Sequence, residues 1–462
     1  MTVETSDPED FDTESLYDDL RTPEEPDAVP DSVHTSVDLK ALYFEESDSF
    51  EVAITETNAF PEAQEYCDSI HEEEWIGNTV EALTSHLPEQ ERDVVVNFPG
   101  HAFDGDHNWL KSEKDEIAGR IEEEVGNFET TRDGEDLRVT EEKVELEGED
   151  FDYVLNLSDI GDPLNDSVSG TEASSRIVNA PTAVWNTRYP ETGKAGLQDV
   201  TDDVIKELGA DGVHVPENRS VEYFSGAVGA AQSFFQDGDS AVLKGDFGTH
   251  GDEVVYLDRQ EYENLSTHLG VSIEDYVRSQ VHEVEERVRG KSTTGHDYSL
   301  FDDSGQFNGR GESDTAVVER AVEDGFEVDG EAAEVLNYDG RPIDLVFTVW
   351  DAGDEYGTGA TIRASEKSDT INANCGSQNF DLVPYTDAFE EEIYQGGEGP
   401  ALQDLLEGAA GREVPEEELL EYAGPVAATA LGTRNLSSHR ARENENPEKP
   451  SGSLASTRED SL

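Results

Sequence analysis

The chain has 462 residues, with 31 Lys and Arg against 109 Asp and Glu and a formal net charge of −78 at pH 7. That length leaves room for two or three domains, each large enough to bury a core. The charge excludes long nucleic acids as partners, because a polyanion is held by basic patches that release counterions, and the sequence has no Lys/Arg cluster.

The acid is spread along the chain and lysine is scarce, with only ten in the whole sequence. This pattern points to adaptation to very high salt, where charge repulsion is screened over a few ångströms and carboxylates keep the surface hydrated. Cys67 and Cys375 set up neither a disulfide framework nor a zinc site. No apolar run approaches the roughly 18 residues of a membrane span, and the first 35 residues have no signal-peptide core. The expectation is a soluble protein of a salt-loving cytoplasm, of a halophile or its virus, with no membrane partner.

Residues 1–44 read as a disordered acidic tail; the first 35 hold 12 acidic residues and one Arg without apolar periodicity. Strand-like runs follow at Phe50–Thr55, Asp93–Phe98 and Phe151–Leu157, alternating with helical patterns at Glu74–His86 and Asn108–Val125. That alternation predicts an open α/β sheet domain over 45–178. Asn97-Phe98-Pro99-Gly100-His101 leaves one strand where such sheets place ligand loops, although a plain strand exit accounts for His101 as well.

A second domain spans 179–440 and gives the chain a mixed α/β (α+β) class. Arg176–Ala180 leads into it as a strand end, Ala195–Leu208 and Val221–Asp237 read as helices, and Ser240–Lys244 as a strand. Gly245–Gly251 is a glycine-rich turn, and Glu253–Leu257 returns from it as the second strand of a hairpin. Tyr276–Glu283 reads as a further strand. The charged stretch 285–335 reads as an inserted loop with one helix near Thr315–Asp324. Pro342–Trp350 and Gly359–Ala364 are later strands, and Glu416–Leu431 an amphipathic closing helix. Residues 441–462 are polar, rich in Pro and Ser, and read as a second disordered tail.

The chemical signal is the run Val242-Leu243-Lys244-Gly245-Asp246-Phe247-Gly248-Thr249-His250-Gly251. A lysine ending a strand before a glycine turn can place an ammonium, and backbone N–H groups, against phosphate. No helix opens after it and Lys precedes the glycines, so it is not a Walker loop. Fifty residues upstream, Gly193-Lys194-Ala195-Gly196-Leu197 puts another rare lysine at a helix start. Gln280 and Glu283 could read an adenine edge and a ribose. Each feature has an ordinary counterpart, such as a simple turn or a surface ion pair for Arg363.

Together these features resemble the ATP-grasp superfamily of carboxylate–amine ligases, typified by glutathione synthetase. The resemblance covers roughly 176–430 and includes Asn179-Ala180-Pro181, Val213-His214-Val215-Pro216, the strands Asp344–Trp350 and Ala360–Ser365, and the turn Thr370–Ser377. It implies a two-lobed ATP-grasp domain after an N-terminal substrate domain. It further implies ATP and Mg²⁺ as cofactors, and small-molecule or peptide carboxylates and amines as substrates. Lys194 and Lys244 would contact the phosphates, Gly248 and Gly251 would form the mobile loop, and Gln280 with Glu283 would hold adenine and ribose. Arg363 and Asn374 would act on the transferred phosphoryl group, which reaches the carboxylate as an acyl phosphate before an amine displaces it. Two positions depart from the pattern. Val346 stands where the family has Arg, and the family's Glu-x-Asn metal strand is not evident, so the metal ligands stay unassigned. The departure keeps a second reading open: a catalytically inactive nucleotide-binding, structural or assembly protein on the same fold.

Overall fold

The computed structural model describes residues 34–58, 80, 81, 84, 93–98, 108–125, 127–132, 137–139, 144–156, 194–245, 254–291, 299–302, 304–308, 315–338, 341–351, 356–365, 380–385, 402–414, 425–433 and 436. His101, the strand end Arg176–Ala180, the turn residues Gly248 and Gly251, Asn374 and both cysteines lie outside these residues, as does most of Glu74–His86.

Two long strands, β1 (His34–Phe44) and β2 (Ser49–Asn58), open the described chain, followed by β3 (Asp93–Phe98), helix α1 (Asn108–Glu124) and β4 (Asn127–Arg132). A small meander of β5 (Leu137–Val139), β6 (Val144–Leu146) and β7 (Glu149–Phe151) leads to β8 (Tyr153–Asn156). Next come α2 (Lys194–Leu208), β9 (Val213–His214), β10 (Asn218–Val221), α3 (Phe224–Asp237), β11 (Ala241–Gly245) and β12 (Val255–Leu257). Two further helices follow, α4 (Arg259–Leu269) and α5 (Ile273–Lys291). The last part is mostly strands: β13 (Ala316–Arg320), β14 (Phe326–Val328), β15 (Glu331–Val335), β16 (Asn337–Tyr338), β17 (Arg341–Asp351), β18 (Tyr356–Ser365) and β19 (Phe380–Tyr385). Helix α6 (Leu402–Ala410) follows, and residues 425–433 are helical.

The largest sheet has nine strands and joins distant parts of the chain. β1 pairs antiparallel with β2 on one side and with β17 and then β15 on the other. Val37, Leu39, Ala41 and Tyr43 recur at the period of a strand. They share a core with Phe50, Val52 and Ile54 of β2 and Ile343, Leu345, Phe347 and Val349 of β17, covered by Leu406, Ala427 and Leu431. The other face of β1 buries Leu42 and Phe44 against Phe326, Ala333 and Val335. β3 lies between β4 and β8 in a small parallel sheet, and its Val94, Val95 and Val96 are all fully buried, the continuous apolar run that a covered parallel strand needs.

A third sheet, in the order β10-β13-β11-β12, carries α3 and α5. Its core combines Phe224, Ala227, Ala231 and Phe234 of α3 with Tyr276, Val277, Val281 and Val284 of α5 and Leu243 and Val318 of the strands. The expected hairpin is present, with Ala241 opposite Leu257 and Leu243 opposite Val255.

The fold departs from the sequence reading in four places. Residues 34–44, assigned to the acidic tail, form β1, whose apolar alternation outweighs the acid before it. Segment 45–178 is not one sheet: β2 belongs with β1 and β17, while β3, β4 and β8 pair among themselves. The stretch near 316–320 is strand β13 rather than helix, since Val317 and Val318 are β-branched and packed between β10 and β11. Tyr276–Glu283 lies within helix α5 rather than in a strand, because Val277, Val281 and Val284 recur at helical spacing and all are buried.

Candidate functional site

Three elements from different parts of the chain meet at the C-terminal end of β2. Lys194 is the first residue of α2, and Gln198, one turn later, lies on the same face. Lys244 comes near the end of β11. Glu319 on β13 stands opposite Val242, so the lysine and the carboxylate are diagonal neighbours on one sheet face, within reach of long side chains. The end of β2 contributes the Thr55 carbonyl and the Glu56 side chain.

The polar groups there are closely knit. Lys244 Nζ lies 2.5 Å from Glu319 Oε1 and donates to the Thr55 carbonyl at 3.2 Å. Gln198 Nε2 donates to Glu319 Oε2 at 2.8 Å and to the same Thr55 carbonyl at 3.3 Å. Lys194 Nζ pairs with Glu56 Oε1 at 2.8 Å. The inner pair is almost dry, with side-chain exposures of 9 % for Lys244 and 5 % for Glu319, whereas Lys194 and Glu56 keep 18 % and 27 %. Asp38 of β1 stands directly opposite Glu56 in the β1–β2 ladder.

Burial acts to lower the pKa of Lys244. The Glu319, Glu56 and Asp38 carboxylates, with the Glu319 hydrogen bond, outweigh it and hold the ammonium above its usual range. The surroundings of Lys244 thus favour its charged form. Two ammonium groups face three carboxylates here, so the site's cationic character depends on which carboxylates stay engaged.

Of the residues singled out from the sequence, the fold brings Lys194 and Lys244 to one place. Gln280 and Glu283 are not brought there. They lie on α5, where Gln280 donates to Glu261 at 3.5 Å and Glu283 faces solvent. Arg363 lies on the expected strand β18, opposite Asp344 of β17 and Leu382 of β19. Asn374, Gly248 and Gly251 fall outside the described residues. The residues that sequence reasoning missed are Thr55, Glu56, Gln198 and Glu319. One signal was available: Glu319 interrupts an apolar run, Ala316-Val317-Val318-Glu319, and a charge in such a strand needs a buried partner. No group of three or more metal-ligating His, Cys, Asp or Glu side chains occurs among the described residues. No described helix is long and apolar enough to cross a membrane. A cleft of about 710 Å³ lies elsewhere, between the start of α3 and α5, lined in part by Arg278, His282 and Ser304.

No protein-family model matches the chain, and no curated protein sequence does. Among solved structures it is similar to a putative gamma-glutamylcysteine synthetase from Methylobacillus flagellatus KT. That likeness has 12 % identity over 93 % of this chain and 92 % of the other, and a TM-score of 0.50. Weaker likenesses are a glutathione synthetase-like effector from Globodera pallida in its apo form, 10 % identical over 77 % of this chain and 79 % of that one, TM-score 0.29, and D-alanyl-alanine synthetase A from Vibrio cholerae O1 biovar eltor, 10 % identical over 70 % and 80 %, TM-score 0.33. The fold is thus a mixed α/β fold similar to that of the putative gamma-glutamylcysteine synthetase.

Proposed function

We propose that the chain is an ATP-dependent ligase that joins a carboxylate to an amine through an acyl phosphate. One observation carries this reading: Lys194 and Lys244, fifty residues apart and two of only ten lysines, converge on the end of β2. The likeness to a putative gamma-glutamylcysteine synthetase over nearly the whole chain supports it at the level of the fold.

On this reading Lys194, at the N-terminus of α2, and Lys244, at the mouth of the β11–β12 hairpin, hold the polyphosphate of ATP. The resemblance places the adenine hinge on a strand after the glycine turn. β13, the next neighbour of β11 in the sheet, suits that role where Gln280 on helix α5 does not. Arg363, with Asn374, takes up the negative charge that develops as the γ-phosphoryl passes to the carboxylate. The carboxylate oxygen attacks γ-phosphorus and ADP leaves; the amine then attacks the acyl carbon, and inorganic phosphate leaves as the amide forms. Mg²⁺ is part of the family expectation; no group of three or more His, Cys, Asp or Glu side chains stands together among the described residues. The acidic composition fits a high-salt cytoplasm.

A second reading, a nucleotide-fold protein without catalysis, is favoured by the full engagement of Lys244 with Glu319 and Thr55. The two separate when ATP binding and ADP release are both measured for the full chain in molar KCl with ATP, Mg²⁺ and mixtures of candidate carboxylates and amines. Release that needs both substrates and falls at least tenfold in Lys194→Ala supports the ligase. ATP binding without release under any mixture supports the second reading.

A further inference from the structure

Resting on the nucleotide reading above, we propose that Glu56 is an internal anion that occupies the phosphate subsite and sets its affinity, so that a polyphosphate binds by taking Lys194 from it. Lys194 opens α2, a 15-residue helix with no acidic residue in its first turn. A helix N-terminus bearing a lysine attracts an anion, and the chain supplies one from β2, with Glu56 Oε1 2.8 Å from Lys194 Nζ. The same carboxylate acts on Lys244, so one side chain answers both cations.

Two further observations mark this contact as the exchangeable one. Glu56 lies opposite Asp38, and like charges directly across an antiparallel ladder repel. With Glu319 that makes three carboxylates around two ammonium groups, and a polyphosphate adds several more negative charges. Glu319 cannot leave cheaply, since it is 4 % exposed and tied through both oxygens to Lys244 and Gln198. Glu56 and Lys194 are the more exposed pair, with side chains 27 % and 18 % exposed, and solvent and salt weaken an ion pair in that position. The resting arrangement is also not saturated. Gln198 is 6 % exposed, and its Oε1 is buried without a hydrogen-bond partner in the described structure. A buried acceptor left in that state carries a free-energy cost that a donor brought near it would recover.

The test is calorimetric titration of the full chain and of Glu56→Gln with adenosine, ADP and ATP, at fixed KCl and with EDTA present. Glu56→Gln is expected to bind ATP about two- to fivefold more tightly than the parent, the scale set by one partly exposed ion pair. The gain should be smaller for ADP and absent for adenosine. Glu56→Asp, which keeps the charge, should stay near the parent. If Glu56→Gln does not fold, Glu56→Thr, suited to a strand, carries the same expectation. A parent that binds ATP and a Glu56→Gln that binds it no more tightly overturns the role of Glu56 and leaves the nucleotide reading standing. An equal gain for adenosine also overturns it. No binding of any nucleotide by either protein overturns both.

Discussion

Replacing Lys244 by Met removes the ammonium while keeping most of the volume of its stem, so the cavity term is small and the electrostatic term is isolated. Glu319, with a side chain 5 % exposed, then keeps Gln198 Nε2 at 2.8 Å as its remaining partner in this cluster. Leaving one member of a buried ion pair uncompensated costs about 3–5 kcal/mol. Each kcal/mol lowers the melting temperature of a unit of 150–250 residues by roughly 2–4 °C, so Lys244→Met should melt roughly 6–20 °C below the parent. The double variant Lys244→Met with Glu319→Leu should regain much of that loss, because a well-packed apolar pair in place of a buried ion pair is often neutral. Circular dichroism melts at constant KCl measure both. A Lys244→Met transition within about 2 °C of the parent, or a double variant no better than the single, would refute the assignment of a buried, coupled pair.

Three other outcomes follow from the same structure. Asp258 caps α4 by accepting from the Glu261 amide at 3.0 Å, so Asp258→Ala should cost about 1 kcal/mol in urea unfolding. Stability should fall steeply above about pH 10, the ordinary range of tyrosine and lysine. Burial, with hydrogen bonds to Glu261 and Glu323, raises the Tyr276 and Tyr256 hydroxyls, and the carboxylates around Lys244 raise its ammonium against the effect of burial. For all three the folded pKa lies above the unfolded one, so their contribution is complete below the unfolded value and is lost as pH rises through the folded value. A melting temperature unchanged between pH 8 and pH 11 contradicts this. Gln280→Ala and Glu283→Ala should leave ATP affinity within twofold of the parent, since both residues lie on α5 away from the two lysines; a tenfold loss in either returns the adenine site to that helix.

Much of the local structure was legible in the sequence, because local patterns carry it. The alternation in Phe50–Thr55 and Pro342–Trp350, and the 3.6-residue period of Ala195–Leu208, correspond to β2, β17 and α2. In two segments the strand and helix periods compete. Tyr276, Val277, Val281 and Val284 suit a helix, yet a short window over Tyr276–Glu283 looks like a strand, and β13 presents the reverse case. β1 was hidden by the acid that precedes it, although Val37, Leu39, Ala41 and Tyr43 alternate cleanly. The two lysines could be marked by their rarity together with their places, Lys194 at a helix start and Lys244 at a strand end before a glycine turn. Their partners could not, because Thr55 is 189 residues from Lys244 and Gln198 is 121 from Glu319, and only the packing of β2 and α2 against the β11–β13 pair sets such contacts. A lysine before a glycine turn can meet phosphate; in the fold both lysines are already paired with carboxylates, Lys194 with Glu56 and Lys244 with Glu319.

The most direct test of the nucleotide site is ATP binding by the full chain and by Lys194→Ala, measured by calorimetry in molar KCl. Lys194 is partly exposed and its ammonium pairs with the partly exposed Glu56 at 2.8 Å, so its loss should leave the fold intact. The parent should bind ATP, and Lys194→Ala should bind it at least tenfold more weakly with an unchanged melting temperature. Equal ATP affinity in the two proteins, or no ATP binding by the parent, would contradict the site at the end of β2.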